Sequence, residues 1–285
     1  FLDTTNVTTL LATRGLGVPV IVEEHTDPSQ RSLGRGWGGL RERLYPRAAR
    51  VVVLSEQVKA FFAGPVRERV VVVPNPIEVA PSSRAPRLKD AGRKTLIALG
   101  RLHPVKGFDL LMTAFAEIAA DHPDWRLAIW GEGPLRPELE ALRRDLGLAG
   151  RVELPGTTDR PHDELRDADL FVLSSRWEGF PMALGEAMAC GVAAVSFDCE
   201  SGPRQLIRTG IDGVLVPKEN VRALASALDW LMTDEIERAR LARRAPEVLE
   251  RFGIEAVMGT WEGVLAEIAA ERKSRRFAMP GAARA

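Results

Sequence analysis

Residues 95–121, TLIALGRLHPVKGFDLLMTAFAEIAAD, decide the architecture. Thr95 to Gly100 is a short apolar run of strand type, and Gly107 to Asp121 sets Phe108, Leu111, Phe115, Ile118 and Ala119 on one helical face. The loop between them is Gly100-Arg101-Leu102-His103-Pro104-Val105-Lys106-Gly107, so strand, loop and amphipathic helix form one βα unit. The alternation continues through candidate strands Arg126 to Gly131, Val152 to Leu154, Leu170 to Leu173, Val192 to Phe197 and Val214 to Val216, with helical segments between. Six such strands predict a complete, doubly wound parallel α/β domain. Upstream, Val18 to Glu23, Val51 to Leu54 and Val70 to Val73 read as three more strands, and Ser55 with Glu56 reads as the start of a helix. A helix over Thr4 to Arg14 precedes them. Pro74 to Arg93 holds four prolines and no apolar periodicity, which is linker composition. Helical periodicity resumes from Val221 to the region of Arg272, and Phe277 to Ala285 carries no pattern.

These segments predict a partial first domain over 1–80, a linker over 81–93, a second domain over 94–254, and a helix with a loose tail over 255–285. A chain of 285 residues that is 45% hydrophobic has enough apolar material for two cores. Lys plus Arg (39) balances Asp plus Glu (39), which argues against a nucleic acid partner. Cys190 and Cys199 are too few for a disulfide scaffold and too far apart for a CxxC motif, so a reducing cytoplasm is expected. No apolar run approaches the roughly 20 residues of a membrane-spanning helix.

Ligands of parallel sheets bind at the carboxyl ends of the strands, where the next helix presents free N–H groups. Arg101 and Lys106 put two cations there, which suits a diphosphate; a solvated basic loop is the other reading. After the strand Leu170 to Leu173 comes Glu178-Gly179-Phe180-Pro181-Met182-Ala183-Leu184-Gly185-Glu186. With Pro181 at the first helical position, Glu178 lies in the loop and Glu186 in the helix, at different levels of one crevice. Gly179 and Phe180 would offer backbone N–H groups to a phosphate, and Glu186 could accept from a vicinal diol such as a ribose. Alternatively, these are one helix-start acid and one surface acid. Gly131-Glu132-Gly133-Pro134 either lines the same crevice or turns the chain.

Asp167 and Asp169 mimic a metal pair but have no third ligand, and the four histidines lack metal spacing, so no metal is expected. His103, His122 and His162 read as loop residues. His25 ends a strand in Glu23-Glu24-His25-Thr26-Asp27, on the ligand-binding side of the first sheet. Arg31, Arg35, Arg41, Arg43, Arg47 and Arg50 form a local basic excess, read either as a patch for anionic lipid or as a solvated helix.

Together these segments resemble the retaining glycosyltransferases of family 4, the group 1 glycosyl transferases. The residues that carry the resemblance are Val73-Pro74-Asn75-Pro76-Ile77, Gly100-Arg101-Leu102 with Lys106-Gly107, Gly131-Glu132-Gly133-Pro134, Val152-Glu153-Leu154-Pro155-Gly156, and Glu178-Gly179-Phe180-Pro181 leading to Glu186-Ala187-Met188-Ala189-Cys190-Gly191. The resemblance implies a GT-B fold of two facing Rossmann-like domains, the first incomplete here and opening mid-domain at Phe1. It implies a hexose or N-acetylhexosamine passed from a UDP- or GDP-sugar to a glycan or lipid-linked acceptor, with retention, without metal or other cofactor, in bacterial surface polysaccharide synthesis at the inner face of the plasma membrane. Arg101 and Lys106 would hold the diphosphate, and Glu178 the donor sugar. Gly179, Phe180, Pro181, Glu186, Gly131 and Gly156 would line the donor site, and His25 would lie near the reacting centre. A nucleotide-sugar-binding module without transfer activity, or a GT-B sugar-nucleotide epimerase, would carry many of the same motifs.

Overall fold

The structure, a computed structural model, describes residues 3–26, 28–30, 34–81 and 92–277. Most of the 81–93 linker and nearly all of the tail from Phe277 fall outside these residues, as do Phe1, Asp27 and Arg31. The chain divides into two compact units, residues 1–76 with 252–285, and residues 77–251.

The first unit holds α1 (Asp3–Ala12), β1 (Ile21–Glu24), α2 (Gly34–Leu44), β2 (Arg50–Val53), α3 (Glu56–Phe61), α4 (Gly64–Arg67) and β3 (Val70–Val72). The strands form a parallel sheet in the order β1-β2-β3, with Val51 opposite Val22 and Val70. All four residues of β2 are buried, as a central strand covered on both faces requires. Ser55 caps α3 by accepting from the Val58 N–H at 3.0 Å. Arg50 leaves the basic excess: it donates to Glu267 (3.1 Å) and Glu271 (2.6 Å) on the long C-terminal helix, and these bonds raise its pKa. Arg41 lies over the rings of Phe61 and Phe62, while Trp37 and Leu40 on α2 are exposed.

The second unit interleaves β4 (Lys94–Leu99), α5 (Phe108–Ile118), β5 (Trp125–Trp130), α6 (Arg136–Asp145), β6 (Val152–Gly156), α7 (Pro161–Asp167), β7 (Leu170–Leu173), α8 (Met182–Ala189), β8 (Ala194–Asp198), α9 (Pro203–Leu206) and β9 (Val214–Pro217). Three helices follow: α10 (Val221–Thr233), α11 (Glu235–Arg244) and α12 (Val248–Phe252). The six strands are parallel in the order β6-β5-β4-β7-β8-β9. The order reverses between β4 and β7, so the loops leaving those two strands diverge and open a crevice at their carboxyl ends. Trp125, Phe115 and Phe197 anchor the core of this unit, packed with Leu111, Leu127 and Leu228. The final helix, α13 (Ile254–Phe277), belongs to the first unit, where Val257, Val264 and Ile268 pack with Val52 and Val73. No helix among the described residues is long and apolar enough to cross a membrane.

Several sequence readings change. Pro181 is the N-cap of α8, and the helix begins at Met182. His162 is helical, the second residue of α7. His122 is a loop residue but a buried one, with Nε2 2.8 Å from Asp229 Oδ1. Ile77, read as part of a linker turn, is 1% exposed and packs against Gly185 on α8.

Candidate active site

The loop from β4 to α5 is built to carry Lys106. His103 Nδ1 accepts from the Val105 N–H (3.4 Å) to start a 3-10 turn over Pro104–Lys106, and Gly107 ends it at φ 60°. A Cβ on Gly107 would lie 2.1 Å from the Ser174 carbonyl oxygen, so the loop after β7 lies directly against this position and only glycine fits.

That second loop is fastened to the first by several bonds. Ser174 Oγ donates to Lys106 O (2.9 Å), and the Arg176 N–H donates to Val105 O (2.7 Å). The Arg176 guanidinium donates to Pro104 O (2.6 Å) and, bidentately, to the Asp109 carboxylate (2.9 and 2.7 Å). Burial pushes the Asp109 carboxyl up, but Arg176 together with the backbone N–H groups of Asp109 and Leu110 holds it below its ordinary range.

This fastening brings Glu178 to Lys106. Glu178 Oε1 accepts from Lys106 Nζ and from Ser175 Oγ, each at 2.6 Å. Both partners are mostly enclosed, with side chains 10% and 23% exposed for Glu178 and Lys106. A charged pair so shielded is held more strongly than a surface one. Arg101 is exposed at the mouth of the same loop. Glu186, on the second turn of α8, completes the group, and burial raises its carboxyl pKa, partly offset by His162.

Gly100, Arg101, Lys106, Glu178, Phe180, Pro181 and Glu186 line one cavity of about 360 Å³, with Leu99, Leu173, Met182 and Ala183. It lies at the carboxyl ends of β4 and β7, where the strand order reverses. Gly179 adjoins it in sequence without lining it. Gly131 and Gly156 also lie off the lining, and Gly131 has a local reason of its own. At φ 142°, a Cβ there would stand 1.9 Å from Gly100 O, so glycine lets the two strand-end loops run side by side. Gly156 accepts from the Gly131 N–H at 2.8 Å. His25 belongs to the other unit, directly after β1, with Nε2 2.8 Å from Glu23 Oε2. Ser175 and Arg176 escape the sequence reading because their partners lie 3 and about 70 positions away with no periodicity to mark them.

No group of three or more metal-ligating side chains occurs among the described residues. Asp169 instead accepts the Thr95 N–H at 2.8 Å, tying β4 to the chain entering β7. Burial pushes the thiols of Cys190 and Cys199 up to about 11 and about 12, which leaves them poor nucleophiles.

Comparison with known proteins bears on the same segments. The family model for glycosyl transferases group 1 matches residues 80–248, and that for glycosyltransferase family 4 matches residues 4–80. An exopolysaccharide phosphotransferase of Streptomyces coelicolor is 38% identical over 266 residues, covering 91% of this chain and 27% of that protein. An uncharacterised glycosyltransferase of Haemophilus influenzae is 27% identical, covering 76% of this chain and 61% of its own length. The chain therefore spans about a quarter of the first relative and less than two thirds of the second. An α-1,4-N-acetyl-D-galactosaminyltransferase of Campylobacter jejuni, named for a diphospho-undecaprenol-linked glycan, is 28% identical, covering 94% of this chain and 74% of that protein. Among solved structures, Anabaena HepE in complex with UDP superimposes with a TM-score of 0.85 at 21% identity, covering 93% of this chain and 77% of that one. At that identity the likeness speaks for the fold alone.

Proposed function

The chain belongs to the group 1 glycosyl transferases and has their GT-B fold, and from that premise we propose that it moves a hexose or N-acetylhexosamine from a nucleoside-diphosphate sugar to a glycan or lipid-linked acceptor, with retention, in bacterial surface polysaccharide synthesis. The observation that carries this reading is the convergence of Lys106, Arg101, Glu178 and Glu186 on one cavity at the reversal of the sheet. HepE binding UDP and the Campylobacter enzyme acting on an undecaprenol-linked glycan support the donor and acceptor classes.

The chemistry follows from charge. As the bond from the anomeric carbon to the diphosphate oxygen breaks, positive charge grows on the sugar ring and negative charge on the leaving diphosphate. Lys106 and Arg101 bind that diphosphate and stabilise its growing charge, which lowers the barrier as preorganised donors do. Glu178 accepts from donor sugar hydroxyls and orients the ring. Glu186 accepts from the ribose diol, and the Gly179 and Phe180 backbone serves the phosphate beside Pro181. Gly131 and Gly156 shape the neighbouring loop. His25 serves the acceptor side, and the exposed face of α2 meets an anionic membrane. Protein cations do the work a metal would do at the diphosphate, so no metal is required.

The test is transfer itself, with UDP- and GDP-sugars offered to glycan and lipid-linked acceptors. Lys106→Ala and Glu178→Ala should each lower turnover by orders of magnitude while circular dichroism stays unchanged. Near wild-type turnover in either variant refutes its role. Tight nucleotide-sugar binding with no transfer across the acceptor panel identifies a binding module instead.

A further inference from the structure

Two serines stand side by side where β7 ends, and their side chains go to different partners. Ser174 Oγ donates to the backbone carbonyl of Lys106 (2.9 Å), whereas Ser175 Oγ donates to Oε1 of Glu178 (2.6 Å). Ser174 thus fastens a loop, while Ser175 fastens a single functional group. Ser175 is 1% exposed and does not line the donor cavity, although Glu178 does.

The bonds on Glu178 divide its carboxylate. Each carboxylate oxygen has about two acceptor positions, and on Oε1 both are taken, by Lys106 Nζ and by Ser175 Oγ, each at 2.6 Å. Oε2 accepts from none of the described residues and is not enclosed, so it is the oxygen that Glu178 leaves to the cavity. The stem of the side chain is backed by the loop after β8, where a Cβ on Gly202 would lie 3.6 Å from Glu178 Cβ and 2.5 Å from Pro181 Cδ.

The two donors on Oε1 differ in what a ligand does to them. The Lys106 ammonium is a point charge on a flexible four-carbon stem, and a diphosphate in the same cavity competes for it. The Ser175 hydroxyl is neutral, sits on a one-carbon side chain and lies behind the lining, away from an incoming anion. Once the diphosphate draws on Lys106, Ser175 is the donor that still fixes Oε1, and with it the direction of Oε2.

We propose that Ser175 is a positioning residue for the donor sugar: its hydroxyl holds Oε1 of Glu178 while the diphosphate engages Lys106, so that Oε2 meets a sugar hydroxyl as a fixed acceptor. This rests on the reading of Glu178 as the group that accepts from the donor sugar. Ser175 acts through Glu178 and touches neither the sugar nor the reacting atoms.

The experiment compares, by calorimetry, the affinity for UDP with that for UDP-glucose, UDP-galactose, UDP-N-acetylglucosamine and UDP-N-acetylgalactosamine, or for GDP with GDP-glucose and GDP-mannose if the guanine nucleotide is the one bound. For the sugar nucleotide that binds tightest, the ratio of its affinity to that of the bare nucleotide is followed through the variants, so that nucleotide contacts cancel. In Ser175→Ala the ratio should fall about tenfold, the scale of one charge-assisted hydrogen bond, with the affinity for the bare nucleotide unchanged. Ser175→Cys keeps the shape of the side chain but donates weakly, so its ratio should fall as well, and it serves if the alanine variant does not fold. On a Glu178→Ala background, Ser175→Ala should lower the ratio no further, because the group it acts through is gone. An unchanged ratio in Ser175→Ala, equal losses for nucleotide and sugar nucleotide, a cysteine variant that keeps the wild-type ratio, or a further loss on the Glu178→Ala background each overturns the role of Ser175 alone. A wild-type ratio in Glu178→Ala overturns the sugar reading of Glu178, and this inference with it.

Discussion

Gly185→Ala tests whether residue 77 is seated on the donor-site helix. Glycine inside α8 forgoes about 1 kcal/mol of helix propensity relative to alanine, so an unobstructed alanine would stabilise the protein. Here a Cβ would fall 2.4 Å from Ile77 Cδ1 and 2.9 Å from Cγ1, well inside contact distance, with Leu206 Cδ1 at 3.6 Å. Ile77 is β-branched and 1% exposed, so it has little freedom to turn aside. Overpacking of this kind costs about 1–3 kcal/mol, which makes Gly185→Ala destabilising overall by up to about 2 kcal/mol. Ile77→Ala alone should cost about 2–5 kcal/mol. In the double variant the obstruction is gone and the helix gain returns, so the double should be more stable than the sum of the singles by about 1–3 kcal/mol. Urea unfolding of the four proteins, followed by tryptophan fluorescence, reads these differences from the midpoints. Additive effects, or a stabilising Gly185→Ala, would refute the seating of Ile77 on α8.

Glu186→Gln should raise stability at about pH 7 while weakening nucleotide binding. A carboxyl whose folded pKa is raised by burial contributes most below its unfolded pKa and loses that contribution as pH rises through the folded value. Removing the charge removes the loss, and an unchanged urea midpoint at neutral pH would count against it. Glu247 behaves in the opposite sense: hydrogen bonds from Arg244 and Arg208 push it down to about 2, from an ordinary 4.5. Its contribution is present above about pH 4.5 and fades as pH falls toward 2. Glu247→Gln should therefore flatten the acid limb of stability between those values, and an identical limb in both proteins would show that the network adds nothing.

The nine described strands lie within about three residues of the runs that the apolar alternation marks, because each is a short segment with an apolar stretch of its own, set between helical or turn-forming sequence. Strand edges moved where packing decides, as at Val192, where the chain travels two residues further before pairing begins at Ala194. The βα loops of the site were also legible, since Arg101, Lys106, Glu178 and Glu186 each follow a strand at the end where ligands bind. What spacing does not carry is contact across distance. Nothing local shows that Arg176 reaches back to Asp109, that the Ala80 N–H donates to His162 Nδ1, or that Gly131 is required by the carbonyl of Gly100. Each depends on two loops lying side by side only once the sheet has formed.

The bonds from Ser174 and Arg176 to the Pro104–Lys106 turn have a consequence for accuracy. Two independent loops would each wander, and the error in the spacing of an ammonium and a carboxylate would be the combined variance of both. Tied together, they move as one body, so Lys106 and Glu178 keep their separation whatever the body does. Sites of this kind must hold their groups within about 0.5 Å of working geometry. The tie works toward that tolerance through an arginine that need never meet the ligand, and a substitution there should be felt as loss of registration between two distant parts of the chain.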